Sequence, residues 1–260
     1  MRSSYRVVGV LIAGILAGCG LSIAEPMGDD CDFEAPFEES ADAAGAAVIR
    51  IDAGAGSLQV VGNSGLSAVR VRGKGCASSQ RLLDGIELTV QRRGDRIDVI
   101  VDIPDRRWGN SNARLDLEIE VPGDVPIEID DGSGAMKVRG VAAAAIADGS
   151  GSIEVRDVAG DLRIDDGSGS VHVEDVGGEV HIRDGSGEIE VRRAGSVVID
   201  EDGSGSIEIA EVEGDVVVRD DGSGSIYVSD VGGDFTVRDD SSGGIRHRDV
   251  GGHVSVPADD

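Results

Sequence analysis

The feature that most restricts what this chain can fold into is a short internal period. Asp131, Asp148, Asp166, Asp184, Asp202, Asp221 and Asp240 recur at spacings of 17, 18, 18, 18, 19 and 19 residues, and all but the last open the tetrapeptide Asp-Gly-Ser-Gly. Self-similarity at such a period describes units that cannot bury an apolar face alone and must stack on their neighbours.

One unit carries two strands. Ile153 and Val155 alternate with Glu154 and Arg156, Val158 follows, and Leu162 and Ile164 alternate with Arg163 and Asp165. Period-two alternation of β-branched residues gives a strand with one buried face. The next units keep the register: Val171/Val173 with Val180/Ile182, Ile189/Val191 with Val197/Ile199, Ile207/Ile209 with Val216/Val218, and Ile226/Val228 with Phe235/Val237. Glycine-rich turns reverse the chain between strands, and each strand pairs with its equivalent about 4.8 Å away, so that aliphatic side chains form ladders. The expected fold is all-β: a single-stranded parallel β-solenoid with coils of about 18 residues. Apolar residues at offsets 0, 2, 5, 9 and 11 exclude the hexapeptide helix, which needs them every six positions. Parallel crossovers favour a right-handed coil.

Composition agrees and removes other classes. Forty glycines and six prolines without a three-residue period exclude collagen. A net charge of −26 and six aromatics, Tyr5, Phe33, Phe37, Trp108, Tyr227 and Phe235, leave neither the cationic surface nor the stacking platform that nucleic acids need.

Residues 46–130 follow the same grammar loosely. Val48 to Val60 reads strand, turn, strand, and the alternating runs Ile86–Val90, Ile97–Ile103 and Leu115–Val121 follow, with a hairpin turn at Arg93-Gly94-Asp95. This is expected to be an irregular sheet region that begins and covers the solenoid, with regular repeats over 131–256. The last unit, with Asp240-Ser241-Ser242-Gly243, an inward His247 and Pro257, reads as a polar cap that blunts an open edge. His247 has no Cys near it in sequence and a single further His, His253 six residues on, which is not a metal-ligand pattern.

The N-terminus is an address. Arg2 and Arg6 precede an eleven-residue run from Val7 to Ala17, too short to span a bilayer, so residues 1–18 read as a secretory signal. Leu16-Ala17-Gly18-Cys19 resembles the lipobox of bacterial lipoproteins. That resemblance implies cleavage before Cys19 and acylation of Cys19, and more than one acyl chain gives durable anchoring. Gly20 in place of Asp implies sorting to the outer membrane of a double-membraned bacterium, facing the periplasm or the exterior. Residues 19–45 carry Glu25, Asp29, Asp30, Asp32, Glu34, Glu38, Glu39 and Asp42 without Lys or Arg and are expected to be an extended tether. With Cys19 lipidated in an oxidising compartment, Cys31 and Cys76 remain. A disulfide between them is the expectation, two free thiols the alternative.

The Gly-Ser-Gly-x-Ile-x-Val strands, the Ile51-Asp52-Ala53-Gly54-Ala55-Gly56-Ser57-Leu58 segment and the lipoprotein leader together resemble the bacterial "putative adhesin" family, a β-solenoid domain of unknown function. The resemblance spans about residues 46–256. It implies a non-enzymatic, envelope-located protein with an adhesin-like or structural role and an unidentified surface partner. It supplies no catalytic residues, and fold alone does not give function.

Chemistry is sparse in the sequence. The seven aspartates stack at one corner of the coil, where unit charges about 4.8 Å apart repel by about 1 kcal/mol per pair in water. They are expected to be solvated turn residues; the alternative is a Ca²⁺-dependent binding module in which Asp131, Asp148, Asp166, Asp184, Asp202, Asp221 and Asp240 hold cations. The stretch Asp200 to Glu211 matches an EF-hand loop, but strands rather than helices flank it. A polysaccharide-active enzyme is the third reading; Asp165/Asp166 and Asp220/Asp221 supply acid pairs, yet such pairs recur from unit to unit. His172 and His181 fall at outward positions of their strands, where a solvated face is the expectation.

Overall fold

The computed structural model describes residues 31–104 and 112–257. The signal segment and Cys19 lie outside them. Among the described residues no helix is long and apolar enough to cross a membrane.

The chain forms β1 (Phe33–Asp42), β2 (Val48–Ala55), β3 (Leu58–Asn63), β4 (Ala68–Ala77), a single helical turn α1 (Gln80–Leu83), β5 (Glu87–Arg93), β6 (Arg96–Asp102) and β7 (Ala113–Pro122). The repeats follow as β8 (Ile127–Ser133), β9 (Met136–Val141), β10 (Ala144–Asp148), β11 (Ile153–Val158), β12 (Leu162–Asp166), β13 (Val171–Asp184), β14 (Ile189–Asp202), β15 (Gly205–Val212), β16 (Val216–Asp221), β17 (Gly224–Val231), β18 (Phe235–Asp240), β19 (Gly243–Val250) and β20 (Val254–Ser255).

From β8 onward every pairing is parallel and joins equivalent positions of successive coils. One core ladder runs Ile127, Ala144, Leu162, Val180, Val197, Val216, Phe235. A second runs Met136, Ile153, Val171, Ile189, Ile207, Ile226. All of these side chains are buried. The expected parallel solenoid is the observed fold, and offsets 0, 2, 5, 9 and 11 are its interior. Offset 5 breaks strict alternation because the residue before it takes a positive φ: Asp157 (56°), Asp175 (60°), Arg193 (55°), Glu211 (59°) and Asp230 (57°). That single left-handed residue turns the strand at a corner and sends Val158, Val176, Ala194, Val212 and Val231 inward.

Glycine is required at the opposite corner. Gly205 has φ +151°, and a Cβ built on it would lie 1.5 Å from the carbonyl oxygen of Gly187 in the preceding coil. The coils approach too closely there for any side chain.

Two features of the first half differ from the sequence reading. The regular stack begins before residue 131. Ile49 of β2 pairs in register with Ile127 on one side and with Ile97 of β6 on the other, and Leu58 of β3 sits between Leu117 of β7 and Met136 of β9. Coil order and chain order therefore part company, because β4 and β5 pair antiparallel with β7 and β6. The hairpin turn expected at Arg93-Gly94-Asp95 joins β5 to β6.

The second difference is that the acidic segment 19–45 is not all tether, since Phe33–Asp42 is strand β1, antiparallel to β4. Ala35, Phe37 and Ala41 pack on the core, and Phe37 lies over Gly73 and Gly75, which leave it room. Alternating apolar residues outweigh the acidic composition because the glutamates between them stay in water. Cys31 and Cys76 form a disulfide with Cα atoms 5.5 Å apart, fastening the start of β1 to β4.

Candidate functional site: a buried aspartate column

The second strand of each coil ends in the aspartate of the repeat. Leu162, Ile164 and Asp166 occupy alternate positions of β12 and are all buried, so the carboxylate is the third inward residue of its strand. Pairing in register extends this into a column: Asp131–Asp148–Asp166–Asp184–Asp202–Asp221–Asp240. The first six are buried, Asp184, Asp202 and Asp221 at 1% exposure. The expectation of solvated turn residues is thus corrected: the strand's parity carries the carboxylates inside.

Turn amides meet part of the demand. The amide of Gly132 donates to Asp131 Oδ1 at 2.9 Å, that of Ser168 to Asp166 Oδ1 at 3.2 Å, and that of Ser186 to Asp184 Oδ1 at 3.1 Å. The second oxygens of these three aspartates are buried with no hydrogen-bond partner, and Asp148, Asp202 and Asp221 make no close hydrogen bond, although the turn amides of Ser150, Ser204 and Ser223 still favour their carboxylates.

The electrostatic consequence is uniform in sign. Desolvation, with the neighbouring carboxylates adding to it, pushes Asp131, Asp166 and Asp221 up to about 6 and Asp202 up to about 7. Burial also raises Asp148 and Asp184. Among the described residues no group of three or more His, Cys, Asp or Glu side chains is arranged to hold a metal ion.

The outward faces behave differently, with charges of opposite sign meeting along the stack. Glu154 lies 3.0 Å from both Lys137 Nζ and Arg156 Nε, Arg156 reaches Glu174 at 3.3 Å, and Arg192 lies 2.6 Å from Glu190 and 3.2 Å from Glu208. The hydrogen bond from Lys137 lowers the Glu154 carboxyl, and that from Arg193 lowers Asp175. His172 Nδ1 is 2.7 Å from Glu190 Oε2. His181 stands between Glu179 at Nε2 and Asp200, 3.7 Å from Nδ1, and Arg219 also bonds Asp200. Both histidines are outward, as expected, but a ring nitrogen of each contacts a neighbouring carboxylate rather than being simply solvated.

Asp200 pairs with cations while Asp202 is buried in the column, so the EF-hand match does not gather ligands around one point. An open groove of about 580 Å³ runs beside His181, where Ala143, Ala144 and Ala145 replace the bulkier residues of other coils. At the far end, Val254 and Ile245 of the last coil are only partly buried, and His247 occupies an inward position over Phe235, ring centroids 6.0 Å apart. This coil leaves the interior incompletely covered.

No family model matches the sequence, and no curated protein matches it. Solved structures do. The chain is similar to a putative cell adhesion protein from Clostridium sporogenes (14% identity, TM-score 0.34, 85% of this chain and 99% of that one). It is also similar to a putative adhesin from Bacteroides fragilis (10%, 0.38, 86% and 97%) and to a putative lipid binding protein from Parabacteroides distasonis (12%, 0.38, 86% and 97%).

Proposed function

We propose that this chain is a non-enzymatic envelope protein, lipid-anchored through Cys19, that uses its stacked coils as a stiff binding or bracing surface in an adhesin-like or structural role. The observation that supports this reading most is the continuity of the outward rows. Lys137, Glu154, His172, Glu190, Glu208, Tyr227 and Arg246 follow one another in register on one face, each one coil from the next. Such a row offers a partner many weak, evenly spaced contacts, which sum through multivalency without any one pocket. The leader Leu16-Ala17-Gly18-Cys19 supports the anchor. The test compares intact cells carrying the wild-type chain with cells carrying Cys19→Ala. The wild type should fractionate with membranes and cross-link to a reproducible envelope component; the variant should do neither. Equal fractionation of the two proteins refutes the anchor, and equal capture refutes the anchored binding role.

A further inference from the structure

The column of aspartates has no part in the outward surface, yet it is the most repeated chemical feature of the interior. Six consecutive carboxyl groups are nine-tenths or more buried and aligned along the stack by strand pairing. Asp131, Asp166 and Asp184 each have one oxygen without a hydrogen bond, and Asp148, Asp202 and Asp221 make no close one; the turn amides of Ser150, Ser204 and Ser223 act on these three to favour the carboxylate, and burial outweighs them.

The groups whose charge acts on the column are carboxylates: the column's own members, with Asp130 beside Asp131 and Asp220 beside Asp221. Lys, Arg and His do not figure among the influences on any of the six. A buried carboxylate without a counter-cation is relieved by taking a proton, which turns one acceptor into a donor. A protonated carboxyl can then donate to the carboxylate one coil away, a charge-assisted bond of the strong class.

We propose that the aspartate column is a proton-binding site, in which neighbouring carboxyl groups share protons between coils, so that the stack is clamped in acid and loosened as the protons leave. The process moves protons only; no other bond is made or broken.

The direction of the effect follows from linkage. The native groups hold protons to higher pH than the same groups in the unfolded chain, so the native state binds more protons between about pH 4 and pH 7, and stability falls as pH rises through that window. For Asp202 alone, a native value of about 7 against 3.8 changes the folded-to-unfolded ratio about a hundredfold between pH 5 and pH 8.

The test uses the full mature chain. Urea unfolding midpoints are measured from pH 5 to pH 8 at fixed ionic strength for the wild type, for Asp202→Asn, and for Asp165→Asn on the outer face of the same strand system. The midpoint of the wild type should fall with pH, Asp202→Asn should flatten that slope, and Asp165→Asn should keep it. Infrared or carboxyl-carbon NMR titration of the folded wild type gives a reading that needs no variant. Protonated carboxyl signals should persist at pH 6 and vanish by pH 8. Carboxyl groups that all ionise below pH 5, or a midpoint level or rising over pH 5–8, overturn the proposal. So does restoration of the pH 8 midpoint by millimolar Ca²⁺ beyond a matched NaCl control, which would make the column a metal site instead.

Discussion

Replacing Gly205 by alanine tests whether close approach of the coils, rather than the aliphatic ladders alone, sets the geometry of the stack. The new Cβ would fall 1.5 Å from the carbonyl oxygen of Gly187. An ordinary carbon–oxygen contact is about 3.3 Å, so the two coils must separate locally by about 2 Å. Two backbone bonds across that junction, Gly187 N to Ser204 O at 2.9 Å and Gly203 N to Asp184 O at 3.0 Å, cannot survive such a shift. Leaving their groups unpaired costs about 1–3 kcal/mol each. Forcing an alanine to φ +151° adds about 1–3 kcal/mol. The sum, about 3–9 kcal/mol, is a large share of the 5–15 kcal/mol that usually holds a domain together. Because each coil touches only its neighbours, the damage should spread as local opening around residues 187–205 before the whole stack is lost. The assay is thermal and urea unfolding followed by far-UV circular dichroism, with amide exchange to locate the opening. Ser204→Ala, an exposed neighbour that keeps its backbone amide, is the control. Melting of Gly205→Ala should drop by about 6 °C or more at 2–4 °C per kcal/mol. A drop under about 2 °C, or one equal to the control, would refute the steric argument.

Leu162, 1% exposed between Ala144 and Val180 on its ladder, should lose about 2–5 kcal/mol on substitution by alanine, read as a lower urea midpoint, because the alanine beside it cannot fill the void. Replacing Cys31 and Cys76 together by serine removes a link between residues 45 positions apart, about 4 kcal/mol of chain entropy, and should make β1 the first site of proteolysis. Cleavage near residues 31–42 at the wild-type rate would argue that the pairing of β1 with β4 needs no fastening.

Most of the fold was legible because the repeat writes the same inward residues again and again, and period-two alternation locates them in each unit. What the sequence hid follows from topology and composition. The pairing of β2 with β6 joins residues such as Ile49 and Ile97 that share no repeat spacing, so periodicity cannot announce it. In Phe33–Asp42 the glutamates mask an alternation of Ala35, Phe37 and Ala41 whose seat, Gly73 and Gly75, lies far along the chain. The groove beside His181 depends on Ala143, Ala144 and Ala145, small residues whose consequence as a groove appears only when the coils are stacked.

The inward aspartate column went against the sequence reading of solvated turns, although Leu162, Ile164 and Asp166 stand at i, i+2 and i+4, and the rule that places the first two inside places the third there too. Chemical type pointed to the turn and geometry pointed to the core, and geometry prevailed because parallel pairing holds strand parity through Asp166 and its equivalents. An asparagine at these positions would fit the same space and could stack its amides into a hydrogen-bonded ladder free of repulsion. The interior instead repeats a carboxyl whose burial is unfavourable unless it holds a proton, in six consecutive coils. The difference is chemical: a carboxyl titrates and an asparagine amide does not, so only the carboxyl makes the strength of the same inward contact depend on pH.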